Sequence, residues 1–187
     1  ALPIYKGTID FYSTNPIDHT SLEKIASVAA SSGLIEAQQL VAANPSLDNG
    51  YHEIVFIDSN VDQWQTLAAD VKPGIEIVLI NGNGDGLKEV ADYLSGQSGI
   101  DAVHIVSHGS EAELFFGSLD LNTTNLADHQ TDFQLIGGSL SNTGSVLFYG
   151  CSIGQGDGGQ SFIDQIAQFT GKAVAASADI TGAAHLN

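Results

Sequence analysis

The sequence predicts an α/β domain in three layers: a mostly parallel sheet with helices on both faces and a β-hairpin insertion. Three observations predict it. Five short, nearly continuous apolar runs rich in β-branched residues recur after residue 50, which is how strands buried on both faces read. Segments with one apolar helical face fall between them. Strand–helix alternation of this kind implies right-handed crossovers that place helices on both sides of a parallel sheet.

Taken in order, the chain opens on an extended stretch, 2–12, and two small helical patterns, 21–30 and 34–43. Thr20 or Ser21 caps the first, with Glu23 and Lys24 in its opening turn. Turn formers then cluster at 44–50 (Asn-Pro-Ser-Leu-Asp-Asn-Gly). This divides the chain into an N-terminal extension, 1–50, serving as a prosegment or linker, and a domain, 51–187. Predicted strands follow at 53–58, 75–80, 102–107, 145–150 and 173–177. Val61, Trp64, Leu67, Ala68 and Val71 share one helical face; so do Leu87, Val90, Ala91 and Leu94, and later Phe162, Ile163, Ile166 and Ala167. Segment 111–121 breaks the alternation, and its Leu114-Phe115-Phe116, Gly117 and Leu119 read as a β-hairpin.

Composition narrows the function. Of 187 residues, 43% are apolar, enough for a core and against general disorder. Five lysines and no arginine face 22 acidic residues, a net charge of -17. No nucleic-acid partner is expected, nor an anionic-membrane surface or a site for a highly phosphorylated ligand, because all rely on clustered Lys and Arg. No apolar run reaches the roughly 18 residues of a membrane span, so no membrane insertion is expected. The single cysteine excludes an internal disulfide framework and a multi-Cys zinc site. The missing initiator and the absence of methionine suggest a piece of a longer protein. Acidity with 21 glycines fits a secreted or surface location.

In open α/β sheets the chemistry gathers beyond the carboxyl ends of the strands. The third apolar run ends in Ser107-His108-Gly109-Ser110, the fourth in Tyr149-Gly150-Cys151-Ser152. A histidine and the only cysteine thus hold the same relative position at two strand ends. If those strands are neighbours, the two side chains converge as a cysteine-peptidase dyad requires: a thiolate nucleophile, and an imidazole that handles its proton. The Gly109 and Cys151 N–H groups would supply an oxyanion hole. Alone, a cysteine at a strand end is more often a packed small hydrophobe, and a histidine more often a surface or structural residue. Their matched placement, each beside a glycine, is what points to chemistry.

The blocks Val106-Ser107-His108-Gly109-Ser110 and Leu147-Phe148-Tyr149-Gly150-Cys151 resemble the His-Gly and small-residue-Cys signatures of caspase-like cysteine peptidases. That group includes caspases, legumain, gingipains, clostripain and the self-cleaving protease domains of large bacterial toxins. Closer still is the similarity to a caspase-like domain of uncharacterised function near the N-termini of giant, repetitive bacterial surface proteins and adhesins. Asp58, Asp85-Gly86-Leu87 and Thr181-Gly182-Ala183-Ala184 also carry it, and it runs from about Glu53 to Leu186. The resemblance implies a caspase-like fold, with His108 as catalytic histidine and Cys151 as nucleophile. It implies a cysteine endopeptidase acting on its own parent chain, in a secreted or bacterial cell-surface protein. A catalytically inactive adhesin or interaction module of the same fold is the alternative. Caspases select acidic residues with arginines, which this chain lacks. An acidic pocket anchored by Asp179 or Asp157 would suit Lys or Arg at the cleavage position, with a small or apolar residue as the other option. Segment 44–50 and the end near Asn187 are candidate cut points.

One loop, Asn81-Gly82-Asn83-Gly84-Asp85-Gly86, carries oxygen side chains at alternating positions and resembles part of a calcium loop. It opens on Asn rather than Asp and follows a strand rather than a helix. The competing reading is a Gly-rich strand-to-helix turn with Asp85 at the helix N-terminus. No other cofactor is expected: a dinucleotide fingerprint fails because Leu87 stands where the third glycine belongs. Trp64 reads as core, His104 as a satisfied buried histidine, and Asp58 and Asp101 as loop anchors.

Overall fold

A computed structural model describes residues 36–178. The element order is β1 (Gln38–Val41), β2 (Glu53–Asp58), α1 (Trp64–Asp70), β3 (Glu76–Ile80), α2 (Gly86–Leu94) and β4 (Ile100–Val106). Three short strands follow, β5 (His108–Ser110), β6 (Glu113–Phe116) and β7 (Leu119–Asn122). Then come α3 (Gln130–Ser139), β8 (Leu140–Tyr149), α4 (Gly156–Thr170) and β9 (Ala173–Ala176). The expected extended stretch 2–12 and helix 21–30 lie outside the described residues.

Six strands form one sheet in the order β1-β3-β2-β4-β8-β9. Every neighbouring pair is parallel except β1 with β3. The inner strands are apolar on both sides because helices cover both faces. Ile54, Phe56, Val78, Ile80, Val103, Ile105, Val146 and Phe148 meet α2, α3 and α4. On the other face Val55, Ile57, Ile77 and Leu79 meet Trp64 and Ala68 of α1. Each such fully buried side chain stabilises the fold by about 1.5–3 kcal/mol. The expected α/β class, sheet direction and helices on both faces are all present.

The connections decide where a site can form. From β2 the chain passes under α1 to β3 on one side, then crosses back over β2 through α2 to β4 on the other side. The loops leaving β2 and β4 therefore part in opposite directions, which opens a crevice at their carboxyl ends.

Three expectations change. Segment 34–43 reads as a helix, yet Gln38–Val41 is a strand antiparallel to β3, with Gln39 opposite Val78 and Leu40 buried. Long-range backbone pairing and burial of Leu40 outweigh weak local propensity there. Helix α3 has no counterpart in the periodicity reading; Gly137-Gly138 obscure it. Gly137 is needed because α3 meets the end of α4 so closely that a Cβ would lie 2.0 Å from the Thr170 carbonyl oxygen. The hairpin is a three-stranded sheet, β5-β6-β7, and it includes His108 itself. Its inner face (Leu114, Phe116, Leu121) joins the core. Its β6–β7 turn docks on the Asn81–Gly86 loop, where Ser118 N–H donates to the Gly84 carbonyl at 2.7 Å.

Candidate functional site

Strands β4 and β8 are parallel neighbours, with Val106 opposite Tyr149. Ser107 N–H continues the pairing by donating to the Tyr149 carbonyl at 3.0 Å. His108 and Cys151, each two residues past that matched pair, therefore emerge at adjacent strand ends, as their placement in the sequence anticipates. The backbones touch: a Cβ on Gly150 would stand 3.3 Å from the His108 carbonyl carbon. His108 is exposed and the Cys151 side chain half-buried.

Ile153, fully buried, sets the spacing between the two strand ends. Its side chain fills the space a Cβ would need at Gly109 (2.5 Å) and at Gly150 (2.6 Å). Both glycines thus have a packing requirement beyond any N–H they offer. Ile153 also accepts the Ala112 N–H at 3.1 Å, tying the cysteine loop to the β5–β6 turn. Glu111 in that turn stands over the start of α4; Cβ atoms at Gly156 and Gly158 would meet its carboxylate at 2.8 and 3.1 Å. A negative group there suits the positive end of the helix dipole. Ser152, directly after Cys151, has φ 59°. A non-glycine residue in this region costs about 1 kcal/mol and persists where packing enforces it.

His108 is anchored from the other side of the crevice. Its Nε2 lies 3.2 Å from the Asn60 carbonyl oxygen, just past β2. A carbonyl only accepts, so Nε2 carries the hydrogen and Nδ1 is the basic nitrogen of the neutral ring. Asn60 is itself fixed by the buried Asp58, whose Oδ1 accepts the Asn60 N–H at 2.8 Å and whose Oδ2 accepts the Gly117 N–H at 2.6 Å. The Asn60 side chain donates to the Gly82 carbonyl at 2.7 Å. Asp58 is thus the loop anchor the sequence suggests, and it holds both the β2 loop and the small sheet. Asn60 was not among the sequence candidates, because it contributes a main-chain atom that any residue has.

The remaining candidates separate. Asp157 lies in the first turn of α4, exposed, and Asp179 falls outside the described residues. In the candidate calcium loop, Asn81 Oδ1 accepts the Asn83 N–H at 3.0 Å and Asp85 Oδ1 accepts the Lys88 N–H at 3.0 Å, making Asp85 the cap of α2. Glu89 Oε2 accepts the Asn81 N–H at 3.0 Å, and burial raises the Glu89 pKa. The loop's polar groups thus close its own turns. Among the described residues no group of three or more His, Cys, Asp or Glu side chains is arranged to hold a metal.

Trp64 is core, as expected, and Asp101 anchors the His52 N–H at 2.9 Å. His104 is a satisfied buried histidine on the α1 face: Nε2 lies 3.0 Å from Glu53 Oε2 and Nδ1 3.2 Å from the Tyr149 hydroxyl. Its hydrogen bond holds the Glu53 carboxyl below its ordinary range, while burial, then the Glu53 charge, raise the Tyr149 hydroxyl. This cluster lies under the sheet, apart from His108.

An α/β domain with its one cysteine and a tethered histidine at adjacent strand ends is the class that fold and site define. The chain belongs to the family described as "Domain of unknown function (DUF4347)", which matches residues 54–187. No curated protein and no solved structure gives a match. No helix among the described residues is long and apolar enough to cross a membrane.

Proposed function

We propose that this domain is a cysteine endopeptidase of caspase-like fold whose main substrate is the longer secreted or surface polypeptide it belongs to. The observation that carries this reading is the meeting of His108, Asn60 and the Cys151 loop at the topological switch point. In this reading His108 Nδ1 takes the thiol proton, and Cys151 Sγ forms a bond to the substrate carbonyl carbon. The Gly109 and Cys151 N–H groups hold the oxyanion. As the C–N bond breaks, the imidazolium returns the proton to the leaving amine. Water then attacks the thioester with His108 as base, releasing the new carboxyl end. The Asn60 carbonyl holds the Nε2 hydrogen throughout, so that proton transfer runs through Nδ1. An embedded domain meets its substrate at high effective concentration, so weak intrinsic affinity suffices.

The test is a longer parent chain carrying either Cys151 or Cys151→Ala. The proposal expects fragments from the first and none from the second; equal patterns reject it. A second reading draws on Ile153. Packing alone accounts for Gly109 and Gly150, which suits a catalytically silent adhesin or interaction module of the same fold. That module would give the equal patterns.

A further inference from the structure

We infer that Lys72 and Asp48 condense into an intramolecular amide that staples the β1–β2 connection to the α1–β3 connection. Lys72 Nζ is in direct contact with Asp48 Oδ1. Asp48 is fully buried, and among the described residues its Oδ2 has no hydrogen-bond partner. No other side-chain oxygen or nitrogen buried among those residues is left so. An unpaired oxygen on a buried carboxylate is destabilising, because the group has given up water without a replacement. Condensation removes that defect at its source: the unpaired oxygen is the atom that departs.

The two connections are held together by their main chains. The Asn44 N–H donates to the Gly74 carbonyl at 2.8 Å, and the Asp48 N–H to the Pro45 carbonyl at 3.0 Å. Gly74 has φ 101°, and a Cβ there would stand 2.9 Å from both the Asn44 carbonyl oxygen and Asp48 Cβ. Backbone packing therefore sets the approach of the two side chains. An Nζ touching Oδ1 stands within about 3.5 Å of Cγ, the separation of a near-attack arrangement. Well-oriented intramolecular reactions reach effective molarities of about 10⁵–10⁸ M, which exceeds the concentration of the water that opposes condensation. The Lys72 side chain is 43% exposed against 0% for Asp48, so it reaches inward from the surface and leaves the expelled water a way out.

The step balances without a further reactant. One ammonium proton passes to the carboxylate, leaving a neutral amine and a neutral acid. Nζ attacks Cγ, a second proton moves from nitrogen to oxygen, and the Cγ–Oδ2 bond breaks. Oδ2 leaves as water, and one amide replaces one ion pair with no change in net charge. The single cysteine denies this chain an internal disulfide. The amide closes a loop containing β2 and α1, which restricts the unfolded chain as a disulfide would. It lies before the starts of β2 and β3, at the opposite end of the sheet from His108 and Cys151, so it stands independently of the peptidase reading.

The experiment uses the 187-residue chain, folded and then denatured, and a glutamate-specific endoproteinase. Cuts after Glu36, Glu53 and Glu76 place Asp48 in peptide 37–53 and Lys72 in peptide 54–76. Mass spectrometry should find the two peptides joined, lighter than their sum by one water, and fragmentation should place the link on Asp48 and Lys72. Lys72→Arg keeps the positive charge without an amine that can form this bond, so its two peptides should separate at their sequence masses. Separate peptides from the native chain overturn the inference, whatever the variant does. A joined pair that persists in Lys72→Arg overturns it as well.

Discussion

His108 Nε2 reaches across the crevice between β2 and β4 to the Asn60 carbonyl oxygen, 3.2 Å away. The contact ties the two loops that part at the switch point, and it fixes which ring nitrogen is basic. A main-chain carbonyl does this without adding a charge. The arrangement depends on Asp58, which holds the Asn60 backbone from below.

Asp58→Asn should therefore be costly. The carboxylate accepts two backbone N–H groups on separate oxygens. An amide offers one acceptor and turns an NH2 group toward the other donor. Urea unfolding should show a loss of about 1–3 kcal/mol. A loss under 0.5 kcal/mol, within the range of an ordinary surface substitution, would mean the two loops are held by other contacts.

The wedge role of Ile153 predicts a selective rescue. Gly150→Ala places a Cβ 2.6 Å from Ile153 Cδ1, and overpacking of this kind costs about 1–3 kcal/mol. Ile153→Val removes that methyl at about 0.5–1.5 kcal/mol. The double variant should be more stable than the sum of the two losses predicts. Gly109→Ala should gain less relief, because valine removes its 2.9 Å contact with Cδ1 but still fills the place of Cγ1, the nearest atom at 2.5 Å. Equal behaviour of the two pairs in denaturant titrations would refute the wedge.

Glu53 predicts part of the acid limb of stability. Its carboxyl is held below the ordinary value of 4.5, first by the His104 hydrogen bond. A depressed carboxylate contributes stability that is present above its unfolded value and lost as pH falls through the folded one. Unfolding free energy should thus begin to decline near pH 4.5. Glu53→Gln should flatten this decline. An acid limb identical in both chains would show that Glu53 is not its source.

Much of this was legible because burial on two faces writes itself into composition. The runs at β2, β3, β4, β8 and β9 are apolar whatever their partners, and His108 and Cys151 are conspicuous residue types at their ends. Strand β1 was not legible, because its identity rests on pairing with β3, some forty residues away. The Asn60 carbonyl left no trace, since every residue has one. Ile153 offered a faint signal, a lone aliphatic residue inside the glycine-rich 150–159 turn. The oxygen-rich 81–86 loop carries the residue types of tight turns, compact glycines with side-chain oxygens that accept nearby N–H groups, and a calcium loop draws on the same types.

The pairing of His108 with Cys151 is tested most directly by the rate at which iodoacetamide alkylates Cys151 at neutral pH, in the native chain and in His108→Ala. His108 is exposed, so its removal leaves the core intact, which circular dichroism verifies. If the imidazole takes the thiol proton, the variant should react roughly tenfold more slowly or worse. Identical rates in two equally folded chains would show that the histidine does not serve the sulfur, and would contradict the account.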